Sequence, residues 1–351
     1  MNTLGFPGIN LLLLHNVSLV ASKLSGIVGD KRLGYNQQER CPTAMPSVRI
    51  RRYIPTDFPA LAQLAVHAGS SPETACGQPD VASTDEFHSD YGHRNLERES
   101  WVLEDDLGNV VGFVAAQERR GVFVVDGPIV APSHRRQGYG RRLMLHIQQD
   151  ALASGAHEVE VGVRSTNVAG AEFLASLGVT PSREIFVYEA HTRHSPDVTL
   201  ASGYVLADLK PRHLLPFLMV MHECFPGYRL PSNPQRLFEP DRMKIVLVLD
   251  AESKMAGAVT AFFYPEDGHG YLYHLGVSEA HRGKGLAHAL LKTATDWLWD
   301  THHPRLIGVS TSDDLGARER LFIPLGFTLQ YSLRYGRKTL FEANALNDVA
   351  T

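Results

Sequence analysis

Hydrophobic and polar positions along the chain form short alternating runs and longer amphipathic segments. Residues 48–53 alternate and predict a strand, and Thr56-Asp57 is a suitable N-cap for a helix over 58–67. By the same criteria we predict strands over 101–104, 110–116, 122–130, 158–163 and 185–188, and helices from Gly140 to Gly155 and over 168–177. This mixture indicates an α/β (α+β) fold.

The order of predicted elements then repeats in the second half of the chain. We predict strands over 204–208, 245–250, 257–264, 270–277, 306–309 and 327–335, and helices over 211–224, 317–325 and after Gly285. Each half also contains one long irregular stretch, at 69–97 and at 225–242. Loops of that length are usually functional, so we expect these two to shape a binding site.

The repeat and the length of 351 residues predict two tandem domains, because one hydrophobic core rarely serves so long a chain. The predicted parts are a leader over 1–46, a first domain over 47–190, a linker over 191–202, a second domain over 203–341 and a tail over 342–351.

Composition narrows the class of protein. The formal net charge of −4, from 34 basic and 38 acidic side chains, argues against a chain that binds nucleic acid over its whole surface. Three widely spaced cysteines fit a reducing cytoplasm, and the apolar run 11–14 is too short to span a bilayer. We predict a cytoplasmic protein without nucleic-acid, membrane or metal partners, since metal-ligand spacings such as HExxH are missing.

A glycine turn between a strand and a helix is the main chemical signal. It reads Arg135-x-x-Gly138-x-Gly140 in the first half and Arg282-x-x-Gly285-x-Ala287 in the second. Glycines there let a phosphate approach the unpaired amides at a helix N-terminus, and nearby cations add charge-assisted contacts. The alternative is a tight turn with solvated arginines. The spacing matches neither a P-loop nor a Rossmann dinucleotide site.

These two turns resemble motif A of the GNAT N-acetyltransferase superfamily. Residues 167–179, and 314–327 in the second half, look like its motif B. The resemblance covers about 47–190 and 201–340, and it implies two tandem GNAT-like domains, each with a mixed, splayed β-sheet flanked by helices. It also implies acetyl-CoA as cosubstrate, bound between the central strands, and direct acetyl transfer to an amine.

The resemblance assigns cofactor-binding roles in both halves. Backbone near Ile129-Val130 and Gly276-Val277 is expected to pair with the pantetheine arm and polarise the thioester, and Asn167 matches an asparagine that touches CoA. The residues expected to hold the pyrophosphate are Arg135, Arg136, Gln137, Gly138, Gly140, Arg141, Arg282, Gly283, Lys284, Gly285 and Ala287.

Catalytic residues match the family less well. Many members place a general-acid tyrosine in motif B where this chain has Leu174 and Phe322, and neither side chain donates a proton. Candidate bases are Asp126 in the first half and Tyr273 or His274 in the second. The alternatives are a turn carboxylate for Asp126 and a hydrogen-bonded interior histidine for His274.

The predicted function is an acetyl-CoA-dependent N-acetyltransferase that acts on a primary amine of a small molecule or peptide. Tandem members often retain one catalytically degenerate half, and the sequence does not say which half that is here. Two alternatives remain: a non-catalytic acyl-CoA-binding or sensing module, and a transferase with a longer acyl donor. The identity of the amine is not encoded in transferable loop patterns.

Overall fold

The computed structural model describes residues 48–76, 81, 83–92, 94–225, 228, 237–238, 241–265, 268–312 and 319–340. The predicted leader and tail lie outside the described residues. So does the second-half position that corresponds to Asn167, at Asp314-Leu315.

The first half contains six strands and five helices among its described residues. The strands are β1 (Arg49–Arg52), β2 (Ser100–Glu104), β3 (Val110–Arg119), β4 (Val122–Val130), β5 (Glu158–Arg164) and β6 (Thr180–Ala190). The helices are α1 (Phe58–Gly69), α2 (Thr84–Tyr91), α3 (Leu96–Glu99), α4 (Tyr139–Ala153) and α5 (Val168–Ser176). The strands and helices predicted for this half are confirmed, and the irregular stretch at 69–97 contains α2 and the start of α3.

The second half repeats the order among its described residues. Its strands are β7 (Val205–Asp208), β8 (Met243–Leu249), β9 (Met255–Tyr264), β10 (His269–Val277), β11 (Leu306–Thr311) and β12 (Thr328–Thr339). Its long helices are α6 (Leu214–Cys224) and α7 (Leu286–His302). The six predicted strands are confirmed, while the predicted helix over 317–325 lies partly outside the described residues.

The described strands form one mixed twelve-stranded sheet. Its order is β1-β2-β3-β4-β5-β12-β6-β11-β10-β9-β8-β7. The β4–β5 and β10–β11 pairs are parallel, and the other pairs are antiparallel. The last strand of each half therefore lies beside the other half: β12 pairs with β5, and β6 pairs with β11.

The strand exchange occurs at corresponding positions of the two halves. Tyr335 of β12 is opposite Gly162 of β5, and Val187 of β6 is opposite Ser310 of β11. Residues 191–202, where the sequence predicts a linker, contain no helix or strand. The division of the chain into two domains, over 47–190 and 203–341, stays a prediction.

Helices cover both faces of the sheet because strand side chains alternate between faces. Val114 of β3 packs into the core cluster that contains the buried residues of α4, whereas its neighbour Phe113 packs into the cluster of α1 and α2. In the second half, Val246 faces the α7 cluster and Leu247 faces the α6 cluster. In both halves, the sheet is therefore covered by helices on its two faces.

Candidate functional site

A cleft opens in each half where two parallel strands stop pairing. The β4–β5 pairs run from Val122 with Glu158 to Val125 with Val161, yet β4 continues to Val130 and β5 to Arg164. We call the space between the unpaired ends the first cleft.

The second cleft is the equivalent space between β10 and β11. Its last backbone pair joins Leu272 to Val309, whereas β10 continues to Val277 and β11 to Thr311. The splayed sheet that the family resemblance implies is therefore present in both halves.

A β-bulge bends each strand as it leaves its parallel neighbour. The β3–β4 register shifts between Phe113 and Ala115, where Gly127 has φ +92°. The β9–β10 register shifts between Tyr273 and Gly276, where His274 has φ +48°. A bulge inserts an unpaired residue and kinks the strand, which explains why β4 and β10 diverge from β5 and β11.

The two glycine turns begin their helices at the open end of each cleft. Gly138 (φ +83°) and Gly285 (φ +74°) are the N-cap residues of α4 and α7, and a Cβ at either position would meet nothing within 4 Å. The first intrahelical bonds are Arg142 N–H to Gly138 C=O and His288 N–H to Gly285 C=O, both 3.1 Å. The amides before them precede the helical hydrogen-bond ladder, which is the property an anion site requires.

The motif arginines brace the turns. Arg135 Nε donates to the Val130 carbonyl at 2.9 Å, and Arg282 Nε donates to the Val277 carbonyl at 3.0 Å. The sequence predicts these guanidinium groups as phosphate ligands, and the structure adds a bond to the last strand residue. The contact fixes the turn relative to the strand in both halves.

The other predicted cradle residues surround the same two turns. Gln137 Nε2 donates to Ser133 C=O at 3.2 Å, and Arg141 Nη2 donates to Ser176 C=O at 3.2 Å. Arg136 and Gly283 hold the same place before the N-cap and share a left-handed backbone, with φ +62° and +77°. Most of the predicted cradle residues at the two turns are exposed to solvent: Arg136, Gln137, Gly138, Arg141, Arg282, Gly283, Lys284 and Gly285. Gly140 and Ala287 are half-buried.

Lys284 has a partner that the sequence did not indicate. Its Nζ donates to the Tyr204 hydroxyl at 2.8 Å, and the same hydroxyl lies 2.9 Å from His281 Nδ1. Tyr204 directly precedes β7, so the start of the second half contacts the second turn. Tyr204 and Lys284 are 80 residues apart in the sequence, so local sequence patterns do not predict their contact.

Asn167 has a structural role in addition to its predicted CoA contact. Its Oδ1 accepts from the Gly170 N–H at 2.8 Å and caps α5, and its Nδ2 donates to Ala75 C=O at 3.0 Å. The side chain therefore ties α5 to the segment after α1. The contact with CoA stays a prediction.

Asp126, the candidate base of the first half, lies in a buried ion pair. Its Oδ2 is 2.5 Å from Nη1 of Arg94, whose Nε also donates to Glu99 at 2.9 Å. The neighbouring carboxylates raise the pKa of Arg94 against the effect of burial, so the guanidinium stays charged. Asp126 is thus more than a turn carboxylate, because its side chain is held in a buried ion pair with Arg94.

The second cleft carries uncharged candidates. The Tyr273 hydroxyl lies 2.6 Å from the Tyr264 hydroxyl. His274 contacts the rings of Phe225 and Tyr228, with centroids 5.7 and 5.0 Å away. Burial lowers the pKa of His274 to about 4, so the imidazole is neutral near pH 7 and is a weak base.

The two positions where the family often has a tyrosine belong to the hydrophobic core. Leu174 is buried in the α4 cluster, and Phe322 packs 5.5 Å from the ring of Tyr188.

The backbone positions predicted to pair with the pantetheine arm lie at the two clefts. Ile129 and Gly276 are buried, and Val130 and Val277 are half-buried. Within the described ranges, no three His, Cys, Asp or Glu side chains form a group able to hold a metal ion.

In the part of the chain that the structure describes, no helix is long and apolar enough to cross a bilayer.

Comparison with known proteins places the chain in a family. The profile of the Acetyltransferase (GNAT) family matches residues 61–179 and 215–327, so the chain belongs to the GNAT acetyltransferase family. It is 30% identical over 173 residues to a mycothiol acetyltransferase from Kineococcus radiotolerans, a match that spans 46% of this chain and 56% of that protein.

Solved structures support the tandem fold. A GCN5-related N-acetyltransferase from Sphaerobacter thermophilus superposes with a TM-score of 0.70 at 21% identity, over 84% of this chain and 96% of that one. A tandem GNAT protein from the clavulanic acid biosynthesis pathway gives a TM-score of 0.60 at 17% identity, over 85% of this chain and 100% of that one. At these identities the likeness concerns the fold alone.

Proposed function

We propose that the chain transfers an acetyl group from acetyl-CoA to a primary amine by direct transfer, in the cytoplasm. The observation that carries this proposal is the glycine turn at the open end of a splayed strand pair, which occurs twice in a GNAT fold. Acetyl-CoA, when bound, supplies an activated acyl group as its thioester. The similarity to a mycothiol acetyltransferase favours a small-molecule amine over a peptide.

The turns fit the pyrophosphate of CoA in shape and charge. Both N-cap glycines have open space where a Cβ would project, and a phosphate group near them would face the unpaired amides of a helix N-terminus. Arg136 and Arg141 in the first half, and Lys284 in the second, are exposed cations beside these amides. Charge-assisted bonds of this kind are about twice as strong as neutral ones.

Removal of the amine's proton is assigned to the residues just past the last parallel pair. These are Asp126 in the first cleft, and Tyr273 and His274 in the second. Each follows the last paired residue of its strand by one or two positions. A base there would lie beside a thioester held along the unpaired strand.

A second candidate is a module that binds acyl-CoA without turning it over. It is favoured by the identity of Leu174 and Phe322, whose hydrocarbon side chains leave the motif B position without a proton donor. A thiol-release assay with a panel of amines separates the two functions, because a sensor releases no CoA above background. Competition between acyl-CoA chain lengths tests the rival with a longer donor.

The decisive experiment is calorimetric titration of acetyl-CoA into wild type, Gly138→Glu and Gly285→Glu. A glutamate puts bulk and negative charge at the pyrophosphate position, so each substitution should abolish binding at its own turn. Gly108→Glu is a matched control, since Gly108 also has positive φ and open space but lies in the β2–β3 hairpin. Unchanged binding in both cradle variants would remove the basis of the proposal.

A further inference from the structure

We propose that Tyr335, on the last strand of the chain, is the proton donor for the leaving thiolate in the first cleft. This inference rests on the proposed acyl transfer and names a residue for the role that Leu174 cannot fill. The donor comes from the second half of the sequence, because β12 lies beside β5 in the sheet.

The register places Tyr335 where the first cleft begins. Val125 and Val161 form the last β4–β5 pair, and the next residue of β5 is Gly162, which is opposite Tyr335. The phenol ring lies directly over that glycine: a Cβ on Gly162 would be 2.8 Å from Tyr335 Cε1 and 2.9 Å from Cζ. Only glycine admits the ring at this point of the strand.

The side chains around the phenol are charged and held in place. Arg183 lies over the Tyr335 ring, 4.8 Å from its centroid, and pairs with Glu160, which also pairs with Arg337 at 2.7 Å. Burial, with a smaller contribution from Asp126, raises the pKa of Tyr335 above its ordinary value. The phenol is therefore protonated at neutral pH, and it releases its proton less readily than an exposed tyrosine.

The exchange of strands makes the two clefts unlike. The residue of the second cleft that corresponds to Tyr335 is Val187, opposite Ser310. Hydroxyl groups in the second cleft come from other strands: Tyr273 of β10 lies 2.6 Å from Tyr264, and Ser310 of β11 is hydrogen-bonded to the Tyr271 phenol. At this position of the exchanged strand, a phenol is present in the first cleft and absent from the second.

The reaction step balances with groups that are present. The amine nitrogen attacks the thioester carbonyl carbon, the carbon–sulfur bond breaks, and the departing thiolate takes the phenolic proton of Tyr335. The proton lost by the nitrogen returns to the phenolate, directly or by way of Asp126. Products are the amide and CoA thiol, and Tyr335 is restored.

The test compares Tyr335→Phe with its parent in a Gly285→Glu background, which confines acetyl-CoA to the first cradle. We expect an unchanged affinity for acetyl-CoA by calorimetry and a fall in kcat of about 10²–10⁴-fold. A second readout does not depend on turnover: the thiol of bound CoA, followed by its ultraviolet thiolate absorption. Loss of the hydrogen bond should raise the pKa of that thiol by about one to two units. Tyr271→Phe, at a half-buried tyrosine of β10, is the matched control and should change neither quantity.

Each outcome decides one question. If Gly285→Glu alone binds no acetyl-CoA, the first cradle fails as a donor site, and the role of Tyr335 falls with it. If the parent binds and turns over while Tyr335→Phe keeps both its kcat and the thiol pKa, the proton-donor role alone is overturned. A Tyr335→Phe protein that loses affinity together with turnover would show that the residue acts through packing on Gly162, which also overturns the proposal.

Discussion

Arg94 and Asp126 form an ion pair that is closed to solvent. Nη1 of the guanidinium lies 2.5 Å from Oδ2 of the carboxylate, and the two side chains are 4% and 6% exposed. The pair joins the segment after α2 to the first residue of β4 beyond its pairing with β5. It therefore couples an irregular segment of the first half to the edge of the first cleft.

Removal of one partner should be costly because the other charge would remain buried. We expect Arg94→Met to lower the free energy of unfolding by about 3–5 kcal/mol, measured by urea denaturation. Arg193→Met is the control, since Arg193 pairs with Asp300 at the surface and exposed pairs contribute little to stability. Equal effects of the two substitutions would contradict the buried-pair argument.

Stability should depend on pH through His274. Burial lowers the pKa of its imidazole from 6.5 to about 4, so between these values the unfolded chain binds a proton that the folded chain does not. The stabilisation conferred by neutral His274 is complete above pH 6.5 and is lost as the pH falls toward 4.

We therefore expect His274→Asn to reduce the fall in unfolding free energy over that window, measured by urea denaturation at several pH values. Asparagine tolerates the left-handed backbone of this position. His303→Asn is the matched control, because His303 has φ +49° but is exposed. The same slope in wild type and His274→Asn would show that the imidazole does not titrate as argued.

Gly162 should be intolerant of a side chain as long as Tyr335 covers it. Gly162→Ala places a Cβ 2.8 Å from the ring, and overpacking of this kind costs about 1–3 kcal/mol. In a Tyr335→Ala background the same substitution should cost much less, because the clashing ring is gone. A double-mutant cycle measures this coupling, and strictly additive effects would contradict the contact.

The strand exchange predicts that the halves cannot fold well apart. A chain divided within 191–204 leaves β5 without β12 and β11 without β6, and unpaired strand edges promote aggregation. We expect each fragment to be insoluble alone and the two co-expressed fragments to form a one-to-one complex, measured by size-exclusion chromatography. A soluble, folded monomer of the first fragment would instead support independent domains with the predicted boundaries.

Contiguous features of the site were predictable from the sequence. The turns at Gly138 and Gly285 depend on a few neighbouring residues, since a strand end, a left-handed glycine and an amphipathic helix are all local patterns. The duplication of these patterns indicated two related halves. The candidate bases Asp126, Tyr273 and His274 were located for the same reason, because they precede the turns on the same strands.

Partners from distant segments were not predictable. Arg94 lies in an irregular stretch whose pattern gives no clue to Asp126, and Tyr204 is 80 residues before its partner Lys284. Gly162 was the one usable signal for Tyr335: a glycine within an alternating strand often marks a close approach of another group. The sequence does not say which group approaches.

The sequence by itself determined the elements, their order in two repeats, and the paired glycine turns, because each depends on backbone preferences and periodicity over a few residues. Only the tertiary structure decided which strand completes which half. The strands β6 and β12 have corresponding positions in the repeat, and either could pair beside β5 or β11 without changing its own alternation. The choice depends on burial and register summed over the whole sheet, and it puts Tyr335 in the first cleft and Val187 in the second.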